Sequence, residues 1–304
     1  MLQDNAMSMF SRLTRSHLSF LVAFSSLAGY LLFPAEPNAV TVLLLCVGIW
    51  FLAAGGSALN QVQEKDVDAR MLRTRKRPLA TGYLGIRTGI LISVLLITAG
   101  LFALLLLGNN QVFLLGIFAI IWYNGVYTNL KRLTPFAVLP GSLCGAIPPV
   151  IGWLLAGGSA FDYRIMLLAG TIVLWQVPHF WLLALSYPED ARRSGLPNLF
   201  SRIRPEKLRR LILIWIIALL AGVATGNLFG LLRADAIRIG LMTATLLFAG
   251  ILLRYVRCRP EPTASSKLFV MLNIFMTLWF GGIAIDRYAV ETNQFVIHIL
   301  TFFG

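Results

Sequence analysis

An amide and two carboxylates recur at four-residue spacing in LNQVQEKDVDARMLRTRKRPL (59–79): Asn60, Glu64 and Asp68. On a helix each such step turns by about 40° net, so the three side chains line one face over about 12 Å. One amide and two carboxylates in a row suit Mg²⁺, which binds through one or two carboxylates together with substrate phosphates. Asp66 falls on the opposite side of that helix. Basic residues follow at once (Arg70, Arg73, Arg75, Lys76 and Arg77) and are natural donors to phosphate oxygens. The same juxtaposition is compatible with plain ion pairs at the headgroup level of a membrane, and the spacing alone does not choose between the two.

Two further groups carry chemical potential. WQVPHFWLLALSYPEDARRSGLP (175–197) places His179 directly after Pro178 and before Phe180 and Trp181. Pro178 is expected to break its helix, and an ionisable residue at such depth is a functional candidate or a satisfied core histidine. Glu189 and Asp190 follow; they could join a metal or diphosphate site or simply face water. In YNGVYTNLKRLTP (123–135) Tyr127 and Lys131 are four apart on one helix face, which equally fits an interfacial tyrosine and a snorkelling lysine. GAIPPVIGW (145–153) puts Pro148 and Pro149 in an apolar run and predicts an irregular wall. Gly226 and Gly230 form a GxxxG, a weak packing signal.

The elements that hold these residues follow from composition. Of 304 residues, 58% are hydrophobic and only 13% charged, and mean hydropathy is +0.77. Soluble domains carry about 25% charged residues. The chain is therefore a membrane protein, which excludes a soluble enzyme, a disordered regulator or a fibrous protein. Nine apolar runs are long enough to span a bilayer: 16–35, 39–60, 83–107, 110–130, 135–156, 162–187, 208–228, 236–256 and 267–285. Long strand-like alternation is missing, which argues against a barrel. The tail 286–304 reads as a short apolar segment at the interface. Residues 1–15 read as an N-terminal segment before a retained first helix, and 1–304 as one membrane-embedded domain. Cys46, Cys144 and Cys258 lie in or beside apolar runs and read as small core residues.

Net charge is +13. All Lys and Arg except Arg164, Arg233, Arg238 and Arg287 fall at alternate ends of the nine runs, on the side of the amino terminus. By the positive-inside rule that side is cytoplasmic, which puts the carboxyl terminus outside. Topology thus explains the basic segment 70–78 without nucleic acid; anionic lipid or a phosphorylated substrate is the expected partner.

With these segments in this order, the chain resembles the UbiA superfamily of intramembrane prenyltransferases. Within it, KRLTP, GAIPPVIGW and WQVPHFWLLAL are similar to the heme O synthases. The superfamily's first motif falls on Asn60, Glu64 and Asp68, with Glu64 where the family usually has Asp. RTRKRPLATG (73–82) matches its basic loop, and Tyr127 and Lys131 its YxxxK element. Quinone-pathway members carry an aspartate motif where this chain has His179. The resemblance implies an all-α fold of about nine helices around a central cavity, open to the cytoplasm and laterally to lipid. It implies Mg²⁺-dependent transfer of farnesyl from farnesyl diphosphate to a vinyl group of heme B in the cell (inner) membrane. Asn60, Glu64, Asp68 and Asp190 are its implied metal ligands and Arg73, Arg77 and Lys131 its diphosphate donors. Tyr127 would position the diphosphate or the allylic carbon, and His179 would contact heme or assist the step. A heme A synthase or oxidase assembly proteins are implied downstream partners. The rival readings are a prenyltransferase for a quinone precursor and a non-enzymatic transporter or assembly factor.

Overall fold

A computed structural model of the protein describes residues 6–34, 36–199, 202–257 and 264–303, with side chains described except at 255–257, 264 and 287–303. Among these residues the secondary structure is helical. A short helix α1 (Ala6–Thr14) precedes α2 (Ser16–Leu32), α3 (Ala39–Arg70), α4 (Ile86–Leu106) and α5 (Asn110–Ile120). A π-helical turn, Ile121–Tyr127, and the short α6 (Thr128–Leu130) complete the fourth span. The fifth is segmented: a 3₁₀ turn Pro135–Ala137, then α7 (Val138–Gly141) and α8 (Leu143–Leu155). Then come α9 (Tyr163–Ser186), the short α10 (Pro188–Ser194), α11 (Pro205–Leu228), α12 (Asp235–Arg257) and α13 (Ala264–Phe303). Eight of these stretches have the length and apolarity to cross a bilayer, and the 17-residue α2 is the ninth apolar helix. This is the expected all-α, nine-helix architecture.

The packing order is that of a closed bundle. α3 packs on α2 and α4, α5 on α4 and α8, and α8 on α2 and α9. α9 meets α11 and α13, and α13 returns to α2. One large apolar cluster joins α8, α9, α11, α12 and α13 around Trp153, Ile216, Leu219 and Trp279. A second joins α2, α3, α4, α5 and α8 around Leu45, Leu104 and Ile151. Lipid tails are as apolar as leucine, so such helices gain most from close backbone approach. The α2–α8 crossing shows it: a Cβ added at Gly152 would lie 1.9 Å from the Ser26 carbonyl oxygen, and one at Gly29 2.0 Å from that of Pro149.

Three expectations change. Pro178 does not break its helix, because α9 runs through it, and α8 likewise runs through Pro148 and Pro149. A proline removes its own N–H bond and crowds the carbonyl four residues back, and all three are buried against neighbouring helices, where such a local defect is tolerated without ending the helix. The irregularity lies upstream instead, in the π turn and the segmented 135–143 stretch. Finally, the backbone of α13 continues to Phe303, so the tail from 286 prolongs the last span rather than starting a separate segment. Cys258 lies outside the described residues.

α3 sets up everything that follows. Its 32 residues make a rod of about 48 Å, against a hydrocarbon core of about 30 Å. Roughly its last dozen residues overhang the apolar part, and they carry Asn60, Glu64 and Asp68. Gly152→Ala is expected to destabilise the detergent-solubilised protein by about 1–3 kcal/mol through overpacking. Gly170→Ala, with nothing within 4 Å of the new methyl, should be neutral or slightly stabilising. Thermal unfolding of both variants checks the α2–α8 contact.

Candidate active site

Asn60, Glu64 and Asp68 are all buried, while Asp66 is exposed. The overhang is covered on three sides. Gln61 Nε2 donates to the carbonyls of Arg12 and Leu13, both at 2.8 Å, which lashes the end of α1 to α3. Leu13, Ala58 and Leu79 form a small apolar cluster beneath it. On the second side the basic segment folds back as turns after α3: Thr74 Oγ1 donates to the Asp68 carbonyl at 3.0 Å, and Leu79 inserts into that cluster. The π turn supplies the third side. Asn124 Nδ2 donates to the Gly56 carbonyl (3.0 Å) and Gln63 Oε1 (3.2 Å), and Gln63 Nε2 returns a bond to the Asn124 carbonyl (3.0 Å). Gly56 permits this approach, since a Cβ there would sit 3.3 Å from Asn124 Oδ1.

Two ion pairs occupy the pocket so formed. Lys131 Nζ donates to Glu64 Oε2 at 2.5 Å, and Arg77 Nη1 to Asp68 Oδ2 at 2.6 Å. Asn60 Nδ2 donates to Thr128 Oγ1 (3.1 Å), which in turn donates to the Tyr123 carbonyl (2.9 Å). Lys131 Nζ lies 5.4 Å from the centre of the Tyr127 ring, which stacks on Tyr123 at 6.0 Å. The Tyr127 ring is seated on Gly141, where a Cβ would come within 2.5 Å of it. Burial lowers the Lys131 ammonium below its usual range, and the Glu64 carboxylate partly restores it. Burial also lowers the Arg77 guanidinium, with Arg15 adding repulsion and Asp68 opposing it.

The sequence-predicted residues thus divide. Asn60, Glu64, Asp68, Arg77, Tyr127 and Lys131 converge. Arg73 lies on the same turn segment and is exposed, its guanidinium 5.8 Å from the centre of the Tyr187 ring. Asp190 is buried but otherwise engaged: its Oδ1 accepts from the Leu72 amide (2.6 Å) and its Oδ2 from that of Arg73 (3.2 Å). It anchors the basic segment to α10, and among the described residues no three His, Cys, Asp or Glu side chains converge as a metal cluster. Glu189 is bound up with Arg192 and Arg193 at the surface.

His179 stands apart from these residues. Its Nδ1 is 2.8 Å from Asn273 Oδ1 on α13. Asn273 Nδ2 donates to the Phe269 carbonyl, so its Oδ1 is the acceptor and His179 Nδ1 carries the proton. Nε2 lies outside this bond. Trp175, Phe180 and Phe269 surround the ring at 4.9–5.3 Å. A groove of about 470 Å³ between α9 and α13 is lined by His179, Phe269, Asn273 and Thr277. Phe180 and Trp181 do not act as a pair: Trp181 turns into the core against Trp215, while Phe180 is exposed. Sequence reading missed Arg15, Asn124 and Asn273. The only sequence signal for Asn124 is its place beside Gly125 in the YNGVY run.

The geometry gathers two buried carboxylates and their two cations at one end of a membrane bundle. The model of the UbiA prenyltransferase family matches residues 22–283, from within α2 to within α13. The chain belongs to the UbiA prenyltransferase family. Curated members of similar sequence include the protoheme IX farnesyltransferase of Geobacter sulfurreducens, 44% identical over 88% of this chain and 94% of that one. The protein of the same name from Nitratidesulfovibrio vulgaris is 39% identical over 93% and 96%. Among solved structures, a digeranylgeranylglyceryl phosphate synthase superposes with a TM-score of 0.75 over 92% of this chain and 98% of its own, at 15% identity. The UbiA homolog from Archaeoglobus fulgidus bound to GPP and Mg²⁺ gives 0.66 over 91% and 100%, at 18% identity. These likenesses establish the fold of this UbiA-family chain.

The two buried pairs yield a thermodynamic cycle. Lys131→Met strands the Glu64 carboxylate in a dry site and should destabilise the protein on the order of 3 kcal/mol. Adding Glu64→Gln removes the stranded charge and should recover most of that loss. Thermal unfolding of the two single variants and the double variant measures the coupling.

Proposed function

We propose that this protein transfers the farnesyl group of farnesyl diphosphate to a vinyl group of heme B, giving heme O. Relatives named protoheme IX farnesyltransferase, 33–44% identical over most of the chain, support the reading. So does the helix that carries a histidine where quinone-pathway members carry acids. The observation that carries the donor half is the buried set of Glu64 and Asp68 with Lys131 and Arg77.

The residues fit Mg²⁺ arriving with a diphosphate. Glu64 Oε1 is buried without a hydrogen-bond partner, and Mg²⁺ needs only one or two carboxylates beside phosphate oxygens. Asn60, Glu64 and Asp68 would hold it, and it would supply positive charge to offset the departing diphosphate. Asp190 serves through the backbone it grips: it holds the segment carrying Arg73 and Arg77 in register with α3. Lys131 and Arg77 exchange part of their bonding from carboxylate to diphosphate oxygens as the substrate enters. Their charge then stabilises the diphosphate most when it leaves. Tyr127, fixed between Gly141 and Tyr123, positions the allylic end. The bundle interior accepts the isoprenoid chain and keeps bulk water from the allylic carbon. The allylic C–O bond breaks as the electron-rich vinyl carbon forms the new C–C bond. One water then adds to the porphyrin-side cation and loses a proton, leaving a hydroxyethylfarnesyl group. His179, held at Nδ1 by Asn273, suits contact through Nε2 with the iron of the substrate heme. The protein sits in the inner membrane with its amino terminus and both basic segments in the cytoplasm.

Four experiments test this. Purified protein with Mg²⁺, farnesyl diphosphate and heme B should give a product heavier than heme B by one farnesyl and one hydroxyl group, read by mass spectrometry. Glu64→Gln and Asp68→Asn should each lower turnover at least a hundredfold, while Glu64→Asp stays partly active. His179→Ala should weaken the Soret shift on heme binding. Prenylated 4-hydroxybenzoate with an unmoved Soret band would overturn the acceptor and keep the family. For orientation, single cysteines at the exposed Lys76 and Glu206 should resist an impermeant thiol reagent in intact cells, and one at Phe161, 90% exposed at the other face, should react. The reverse pattern overturns the orientation.

A further inference from the structure

Among the described residues Arg15 is the one non-glycine residue with positive φ (φ 50°, ψ 50°). The left-handed conformation costs an L-residue about 1–2 kcal/mol and is ordinarily taken by Gly, Asn or Asp. Strain of this kind persists only where the surroundings over-determine it, and it concentrates at functional sites. Both flanks of Arg15 are fixed. Upstream, Gln61 ties Arg12 and Leu13 to α3 one residue from Asn60, and Leu13 is buried with Ala58 and Leu79. Downstream, the Ser19 amide bonds to the Arg15 carbonyl (3.0 Å) and Ser19 Oγ to that of Thr14 (2.9 Å). The sharp turn between α1 and α2 is therefore held at the wall of the pocket.

The charges make the consequence plain. Glu64 is matched by Lys131 and Asp68 by Arg77. Arg15 is half-buried, and among the described residues no carboxylate pairs with it. It follows by two residues Leu13, which packs with Ala58 of α3 and Leu79 of the basic segment, so the turn that carries it borders the same pocket. A surplus guanidinium beside two matched ion pairs leaves the pocket with an unbalanced positive charge that an anion would complete.

We infer that Arg15 is a further ligand of the donor's diphosphate, delivered by the strained α1–α2 turn at the wall where α1 packs beside the basic segment. The inference rests on the diphosphate reading of this site. A guanidinium in this position could also take the phosphate of a lipid headgroup, and the experiment separates the two sources.

The full chain in neutral detergent is titrated with inorganic pyrophosphate and Mg²⁺ by calorimetry, as wild type, Arg15→Lys, Arg15→Asn and Arg15→Gly. Asn and Gly both accept the left-handed backbone, so they remove the charge and leave the turn. Both should bind pyrophosphate about tenfold more weakly, the loss of one charge-assisted contact, with thermal stability equal to or above wild type. Arg15→Lys should bind within about threefold of wild type. In turnover, Arg15→Gly should raise the KM for farnesyl diphosphate more than it lowers kcat. Unchanged pyrophosphate binding in the Asn and Gly variants overturns the inference. Weakened flotation with phosphatidylglycerol vesicles at unchanged pyrophosphate affinity overturns it in favour of a lipid contact. Wild-type protein that binds no pyrophosphate overturns the diphosphate reading itself, and this inference with it.

Discussion

Two carboxylates buried to within a few per cent of full enclosure need cationic partners. Glu64 and Asp68 find them in Lys131 and Arg77, which reach them from two other segments of the chain. The cost of an unpaired charge in a dry site is far larger than the gain from pairing it. Each pair therefore fixes the geometry of the segment that supplies the cation: the turns after α3 for Arg77, and the end of the fourth span for Lys131. The apolar clusters explain why the bundle exists. The two pairs explain why its overhanging end has one arrangement.

The rest of that end serves the same constraint. Thr74, Leu79 and Asp190 pin the basic segment, so Arg77 is delivered at a defined point rather than on a free loop. The π turn Ile121–Tyr127 shifts the register of the fourth span just before Thr128 and Lys131. It is held in that form by Asn124 against the glycine-thinned wall of α3. A single-turn π-helix is costly as pure backbone and is found mostly at functional sites. Here it lets Tyr123, Tyr127 and Lys131 face one pocket from consecutive turns.

A different economy governs α9 and α13. Asn273 commits its amide to its own helix and its carbonyl oxygen to His179, which leaves one imidazole nitrogen protonated and the other free. That orientation is held by side chains from two helices far apart in sequence. It opens on the groove between α9 and α13.

Much of this was legible in the chain itself. Apolar runs of bilayer length fixed the number of helices, because a span has a required length and few ways to satisfy its backbone. The four-residue spacing of Asn60, Glu64 and Asp68 put them on one face, because helical geometry is local. The register of Tyr127 and Lys131 was readable for the same reason. Local rules failed where distant segments decide. Pro178, Pro148 and Pro149 were expected to disrupt helices that tertiary packing keeps continuous. Asp190 gives no sign in sequence of the bonds its two oxygens accept from backbone amides over a hundred residues away. Arg15 gives no sign in sequence of its left-handed backbone, and Asn273 none of its bond to His179. Pairing between side chains remote in sequence depends on where the helices cross, and only the folded bundle determines that.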